Sequence, residues 1–300
     1  MRIKVRVEGL CVPGRWARRL LAILIALTGL ATVPQAVAEG GELIMGVLPR
    51  RSPSEMMEMF GPLAQHLSRE LGRPVKLETT PDFRSFWEAV ASQRYDLVHY
   101  NQYHYVRSHK EYGYQVIAKN EEAHKSTMAG AFLIRKDSGI KSLQDLRGKR
   151  LIFGGDKQAL ISYIIPTYLL RQAGLKKGDY TEEFALNPPN VALTVFFRRA
   201  DAGGIGDIVF ESAFVRDKID VSQFEYLARS EQVAHLPWAV RAAMPVSERA
   251  RIQKILLGVK ASQNGESILK AAALSNLAKA EDSDYNIIRR MIRSVNGEKY

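Results

Sequence analysis

The chain has 300 residues, 46% hydrophobic and 25% charged, with 43 basic against 32 acidic side chains and a formal net charge of +11. That length can bury more than one ordinary core, and the basic residues are not interleaved with aromatics, which argues against a nucleic-acid-binding stripe. The only cysteine is Cys11, which excludes an intramolecular disulfide.

Arg2, Lys4, Arg6, Arg15, Arg18 and Arg19 precede an apolar run, Leu20 to Leu30, and then Ala36-Val37-Ala38. A basic region, a short apolar core and a small-x-small step predict a signal peptide over 1–38, cleaved after Ala38, and a periplasmic location. Cys11 lies before the apolar run, whereas a lipoprotein cysteine would follow it. Removing the six basic residues and one acid of this leader leaves a balance of +6, a modest excess that steers anionic ligands toward the protein.

Glu42 to Leu48 is a short apolar run of the kind found in buried parallel strands. Ser54 is expected to cap the following helix, which runs through Met56, Phe60, Leu63 and Leu67 to Gly72. Arg50 lies at the strand's C-terminal end, where open α/β sheets hold ligands; surface charge is the alternative. Val75 to Thr79 reads as a second strand and Asp82 as the cap of a helix. Arg94 to Tyr100 reads as a third strand, with Asn101 opening another helix. These strand–helix units predict a parallel sheet.

The stretch from His99 to Tyr105 combines aromatic and amide side chains at a strand-to-helix junction, which suits a small-ligand pocket and nominates Tyr100, Asn101 and Tyr105. His99 and His104 have no third ligand at helical spacing, so no metal is expected. Further strands are read at Gln115 to Ala118 and Ala129 to Arg135. Arg150 to Phe153 is followed by Gly154-Gly155-Asp156 and a helix from about Gln158. Such a turn points backbone N–H groups and the positive helix end at an anion.

Glu183 to Ala185 reads as a strand, Asn187 to Asn190 as a rigid turn, and Val191 to Arg199 as a helix. Ala200 to Val209 is a glycine-rich strand ending near Asp207, whose glycines imply close approach of another backbone or a ligand. Its helix, x-Asp step and strand repeat the outline of 94–98. Phe224 to Ala228 and Pro237 to Val240 are expected to return the chain to the first lobe, and from Ser247 onward the pattern reads as helical, including Ile268 to Leu277. No Ser/His/Asp order, close acid pair or metal triad is visible, so no catalytic residue and no cofactor is expected.

Four blocks carry a resemblance: Pro62-Leu63 to Leu67, Asp96 to Tyr105, Asp137-Ser138-Gly139-Ile140 through Gly148-Lys149, and Ala200-Asp201-Ala202-Gly203. The chain resembles the phosphonate/phosphite-type (PhnD-like) periplasmic substrate-binding proteins of ABC importers. The resemblance implies a type II periplasmic binding fold, with two α/β lobes joined by a two-stranded hinge around a ligand cleft. Lobe 1 would comprise 39–128 and 232–300, and lobe 2 would comprise 129–231.

It also implies that an oxyanion sits on the helix after Gly148-Lys149. The hydroxyl-bearing Ser/Thr-x-Ser-Gly motif of relatives falls on Ala159-Leu160-Ile161-Ser162, so hydroxyls are missing at its first and third places, and the resemblance leaves backbone N–H groups at Ala159, the Ser162 side chain, and Gln158 or Lys157 to hold the anion. Tyr105 and Asp207 match ligand-contacting positions, and Asn190 stands near a ligand histidine of relatives or caps its helix. The implied partners are a small ligand and an ABC permease, or in a sensor-coupled cousin the periplasmic domain of a sensor kinase; a monomer is expected. A ligand that is an amine or other cation, with Asp207 as its counter-ion, is the open alternative.

Overall fold

The structure, a computed structural model, describes residues 41–185, 188–208 and 213–300. The leader reading of residues 1–38 and the turn residue Asn187 lie outside the described residues. In chain order the elements begin with strand β1 (Leu43–Val47), helix α1 (Pro53–Leu71), β2 (Val75–Thr79), α2 (Phe83–Ala91), β3 (Leu97–His99), α3 (Gln102–Tyr112) and β4 (Gln115–Glu121). Then come β5 (Thr127–Met128), β6 (Gly130–Arg135), β7 (Arg150–Gly154), a π-helical turn (Leu160–Ile164), α4 (Ile165–Gln172), β8 (Thr181–Ala185), α5 (Pro188–Phe196), β9 (Ala202–Gly206) and the short α6 (Ala213–Arg216). The chain ends with β10 (Phe224–Arg229), β11 (Val233–Ala234), β12 (Pro237–Val240), α7 (Val246–Gly258), α8 (Gly265–Ala271), β13 (Asn276–Lys279) and α9 (Asn286–Asn296).

Two sheets organise these elements. The first has six strands in the order β13-β4-β12-β3-β1-β2, and the second has five in the order β10-β6-β9-β7-β8. Each contains a parallel triplet, β2-β1-β3 and β8-β7-β9, extended on one side by antiparallel pairs. The sheets are therefore mixed rather than parallel throughout. β5 and β11 pair antiparallel where the chain passes between the two sheets. Of the two later strands expected to return to the first sheet, only β12 does so; β10 forms an edge of the second.

The triplets share one device. Asp96 Oδ2 accepts the Ile44 N–H at 2.8 Å while its own N–H bonds the Ile44 carbonyl at 2.9 Å. In the second sheet Asp201 Oδ2 accepts the Arg150 N–H at 2.8 Å and its N–H bonds the Arg150 carbonyl at 2.9 Å. A carboxylate thus supplies the last rung of each ladder, and β3 begins at Leu97 rather than Arg94.

Other boundaries shift for local reasons. Ser52, not Ser54, caps α1, in a capping box with Glu55 and with Pro53 in the first turn; proline is favoured there because its missing N–H would be unbonded anyway. Pro188 likewise opens α5, earlier than the expected start at Val191. Asn276 to Lys279 is an edge strand bonded to β4 rather than part of a helix, because the helix before it ends at Ala272 and Ala273 takes a positive φ of 58°.

Phe60, Trp238, Leu43 and Met45 are fully buried between the first sheet and α1 and α7. Each such side chain contributes about 1.5–3 kcal/mol relative to exposure. A second apolar cluster runs from Phe86, Tyr100 and Tyr105 through Met128, Val233 and Ala234 to Phe153 and Leu160, so the crossing strands are packed within a core shared by both sheets. No helix among the described residues is long and apolar enough to cross a membrane.

Candidate ligand site

The C-terminal ends of the parallel strands present loops at one edge of each sheet, the usual place for ligands in α/β folds. On the first sheet this edge carries Arg50 after β1, the junction His99 to Asn101 after β3, and Asn120 to Glu122 at the end of β4. On the second it carries Gly155 to Gln158 after β7 and Asp207 after β9. The two edges touch where His104 stands between them: its Nδ1 lies 2.9 Å from Asn101 Oδ1 and its Nε2 lies 3.1 Å from the Gln158 side-chain amide. The His104 ring is fully buried, and burial, only partly offset by Gln158, pulls its pKa down to about 4. It is neutral at physiological pH.

The sequence candidates fall into three groups. Tyr100 and Tyr105 belong to the core: Tyr100 packs edge-on against Phe86 and Tyr114, and Tyr105 packs on Tyr285 with its hydroxyl donated to Asp282 at 2.8 Å. Burial raises the pKa of both. The Tyr100 hydroxyl is buried and has no hydrogen-bond partner among the described residues.

Asn101, Ser162 and Asp207 are at the edge, but their side chains are engaged by the protein itself. Asn101 caps α3 by accepting the His104 N–H at 2.8 Å. Ser162 donates its hydroxyl to the Gly154 carbonyl, which ties the π-helical turn to β7 and leaves no hydroxyl proton for an anion. Asp207 accepts the Ala129 N–H at 3.0 Å and the Gln232 amide at 3.3 Å. It holds the end of β9 to the crossing segment.

Arg50, Lys157, Gln158, Ala159 and Asn190 form the third group. Lys157 is exposed, Gln158, Ala159 and Asn190 are half-buried, and Asn190 O accepts the Thr194 hydroxyl at 2.8 Å inside α5. Arg50 is ringed by protein yet still reaches solvent, its side chain 32% exposed. Burial lowers its pKa, against the opposing field of Glu122.

The sequence reading missed Glu122 and His235 as members of this edge; His99, read at the strand-to-helix junction, is fully buried. Arg50 Nη1 lies 3.8 Å from Glu122 Oε1, and His235 Nε2 lies 3.9 Å from Glu122 Oε2. His99 is sandwiched between Trp238 and Phe60, with ring centroids 4.6 and 5.3 Å away. Burial first, then Arg50 and His235, keep its pKa far down. Glu122 and His235 escape a search of parallel-strand ends because β4 and the approach to β12 reach this edge only through antiparallel pairing. No group of three or more His, Cys, Asp or Glu residues suited to a metal ion occurs among the described residues.

Comparison with known proteins agrees with this architecture. The family model described as "ABC transporter, phosphonate, periplasmic substrate-binding protein" matches residues 45–285. This chain belongs to that family of periplasmic binding proteins. The phosphonates-binding periplasmic protein of Escherichia coli K12 is 25% identical over 183 residues, covering 59% of this chain and 54% of the relative. The chain thus matches about half the length of that curated relative.

Among solved structures, a binding protein component of an ABC phosphonate transporter from Pseudomonas aeruginosa superposes with a TM-score of 0.71 at 15% identity, covering 85% of this chain and 87% of that one. A Prochlorococcus marinus protein solved with methylphosphonate gives 0.72 at 18% identity, covering 86% and 99%. These likenesses establish the type II periplasmic binding fold.

Proposed function

We propose that this chain is the solute-binding component of an importer: it captures a small oxyanion of the phosphonate, phosphite or phosphate kind between its two sheets and presents it to an ABC permease after secretion to the periplasm. The observation that carries the reading is the meeting of the two sheet edges formed by parallel-strand ends at one place, where His104 of the first reaches Gln158 of the second at 3.1 Å. Family membership supports the ligand class.

In this reading the lobes are residues 39–128 with 232–300, and 129–231, and β5 with β11 is the hinge. A ligand bonded to groups on both edges favours the closed state by contacts that the open state lacks. Arg50, Lys157 and Gln158 supply side-chain donors, and backbone N–H groups near Ala159 supply the rest. Asn190 closes the site from α5. Ser162 and Asp207 shape the site through the bonds they make within the protein.

The test is a thermal-shift and calorimetric screen of the purified secreted form against methylphosphonate, phosphite, phosphate, sulfate and small amines. At a ligand concentration 100-fold above Kd the expected gain is about 2.7 kcal/mol of stability. Stabilisation by an oxyanion with no product formed is the expected result. Stabilisation by amines alone would overturn the oxyanion reading, and turnover of a ligand would overturn the reading as a pure binder.

A further inference from the structure

Arg50, Glu122 and His235 converge at the edge of the first sheet without bonding one another. His235 is 1% exposed. Its Nδ1 accepts the Leu236 backbone N–H at 2.8 Å; because a backbone N–H can only donate, the lone pair is on Nδ1 and the neutral ring carries its proton on Nε2. That Nε2–H is buried and has no hydrogen-bond partner among the described residues. Glu122 Oε2 lies 3.9 Å from it, and Arg50 Nη1 stands 3.8 Å from Glu122 Oε1; Arg50 and Asp207 also act on the His235 ring by their charge. Both separations exceed hydrogen-bond reach.

Glu122 is itself held in place. Its Oε1 accepts the Asn120 amide at 3.2 Å, and Asn120 is oriented by the Trp238 indole N–H at 2.9 Å. A fixed carboxylate thus faces two donors that it satisfies by field rather than by contact. On the opposite edge the side-chain donors are few: Ala159 and Ile161 carry none, and the Ser162 hydroxyl is already given to Gly154.

We propose that Arg50 and His235 are the two arms of an oxyanion clamp, and that the Glu122 carboxylate is an internal anion which occupies the clamp until the oxygens of an incoming oxyanion displace it. The inference deepens the binding-protein reading and rests on it. A ligand with two or more oxygens can take one hydrogen bond from the guanidinium and one from the imidazole, replacing long-range attraction by charge-assisted bonds. The clamp then selects against small monatomic anions, which cannot span both arms.

Opposite effects of the two partners test this. With methylphosphonate and phosphate as probes in calorimetry, Arg50→Gln is expected to weaken binding about tenfold or more, the value of one charge-assisted bond. Arg50→Lys should recover part of the loss. Glu122→Gln, which keeps the shape and removes the competing charge, is expected to tighten binding, again by about tenfold. The double variant should bind more tightly than Arg50→Gln and more weakly than Glu122→Gln.

Wild-type binding with Glu122→Gln unchanged or weaker would overturn the clamp while leaving the binding-protein reading intact. Binding unaffected by Arg50→Gln would do the same. Failure of the wild type and of Glu122→Gln to bind any oxyanion would overturn both. Circular dichroism and denaturation of each variant separate misfolding from lost affinity, and Glu122→Gln carries the test by itself because a structural defect does not tighten binding.

Discussion

Asp96 completes the β1–β3 ladder by taking the Ile44 N–H on its carboxylate at 2.8 Å. Its other oxygen meets Arg241 Nε at 3.0 Å, so one side chain closes a backbone ladder and anchors the residue that follows β12. Replacing it should show how far the first sheet depends on that corner. Asp96→Ala leaves a strand N–H without its acceptor and Arg241 without its ion-pair partner, and is expected to destabilise by about 2–3 kcal/mol, the range for bonds to a charged group. Asp96→Asn keeps an acceptor and should lose less than half as much. Urea unfolding measures both.

The glycines of β9 make a sharper prediction. A Cβ at Gly204 would lie 2.5 Å from the Phe153 ring and 2.6 Å from the Ser162 carbonyl oxygen. The ring can shift, but the carbonyl belongs to the backbone of the π-helical turn. Gly204→Ala is therefore expected to cost about 3 kcal/mol, at the upper end of ordinary overpacking. Gly61, inside α1, has nothing within 4 Å of the same atom, and there Gly→Ala should stabilise by about 0.5–1 kcal/mol through helix propensity. Opposite shifts of the denaturation midpoint from one chemical change would confirm that the close approach in β9, rather than a general intolerance of added bulk, is decisive.

Acidification should weaken the protein before its carboxylates titrate. His104 has a folded-state pKa of about 4 because burial disfavours its cation, whereas an unfolded histidine titrates near 6.5. Between these values the unfolded chain binds the extra proton, so stability is whole above pH 6.5 and falls as pH drops toward 4. A full difference of this size corresponds to roughly 3 kcal/mol. His99 and His235 shift in the same direction, for the same first cause. Unfolding midpoints at pH 7 and pH 5 should therefore differ, and His104→Gln should flatten the dependence. A midpoint that is unchanged or higher at pH 5 would contradict this account.

Much of this molecule is legible in its sequence where a pattern has a local cause. The apolar runs of β1, β7 and β12, the Asp82 cap and the repeated x-Asp step at Asp96 and Asp201 all correspond to observed elements. The glycines of 203–206 are expected to admit a backbone or a ligand; at Gly204 the close backbone neighbour is the Ser162 carbonyl, whereas Gly203 and Gly206 meet the side chains of Val191 and Ile161. The site was less legible, because the use of a polar side chain depends on what tertiary packing brings to it. Nothing near Tyr105 in sequence announces Asp282, and nothing near Glu122 announces Arg50. Residue type marks a side chain as able to bind; its neighbours decide whether it is already bound.

The π-helical turn at Leu160–Ile164 has a consequence for how this helix is compared with others. One extra residue in a turn swings every later side chain by about 100° around the axis, since an α-helix advances that much per residue. Positions counted from Gly154 therefore address different compass bearings before and after the turn. Pro166, just beyond it, has no N–H to reclose an α-helical bond to Ser162, and it holds the offset in place.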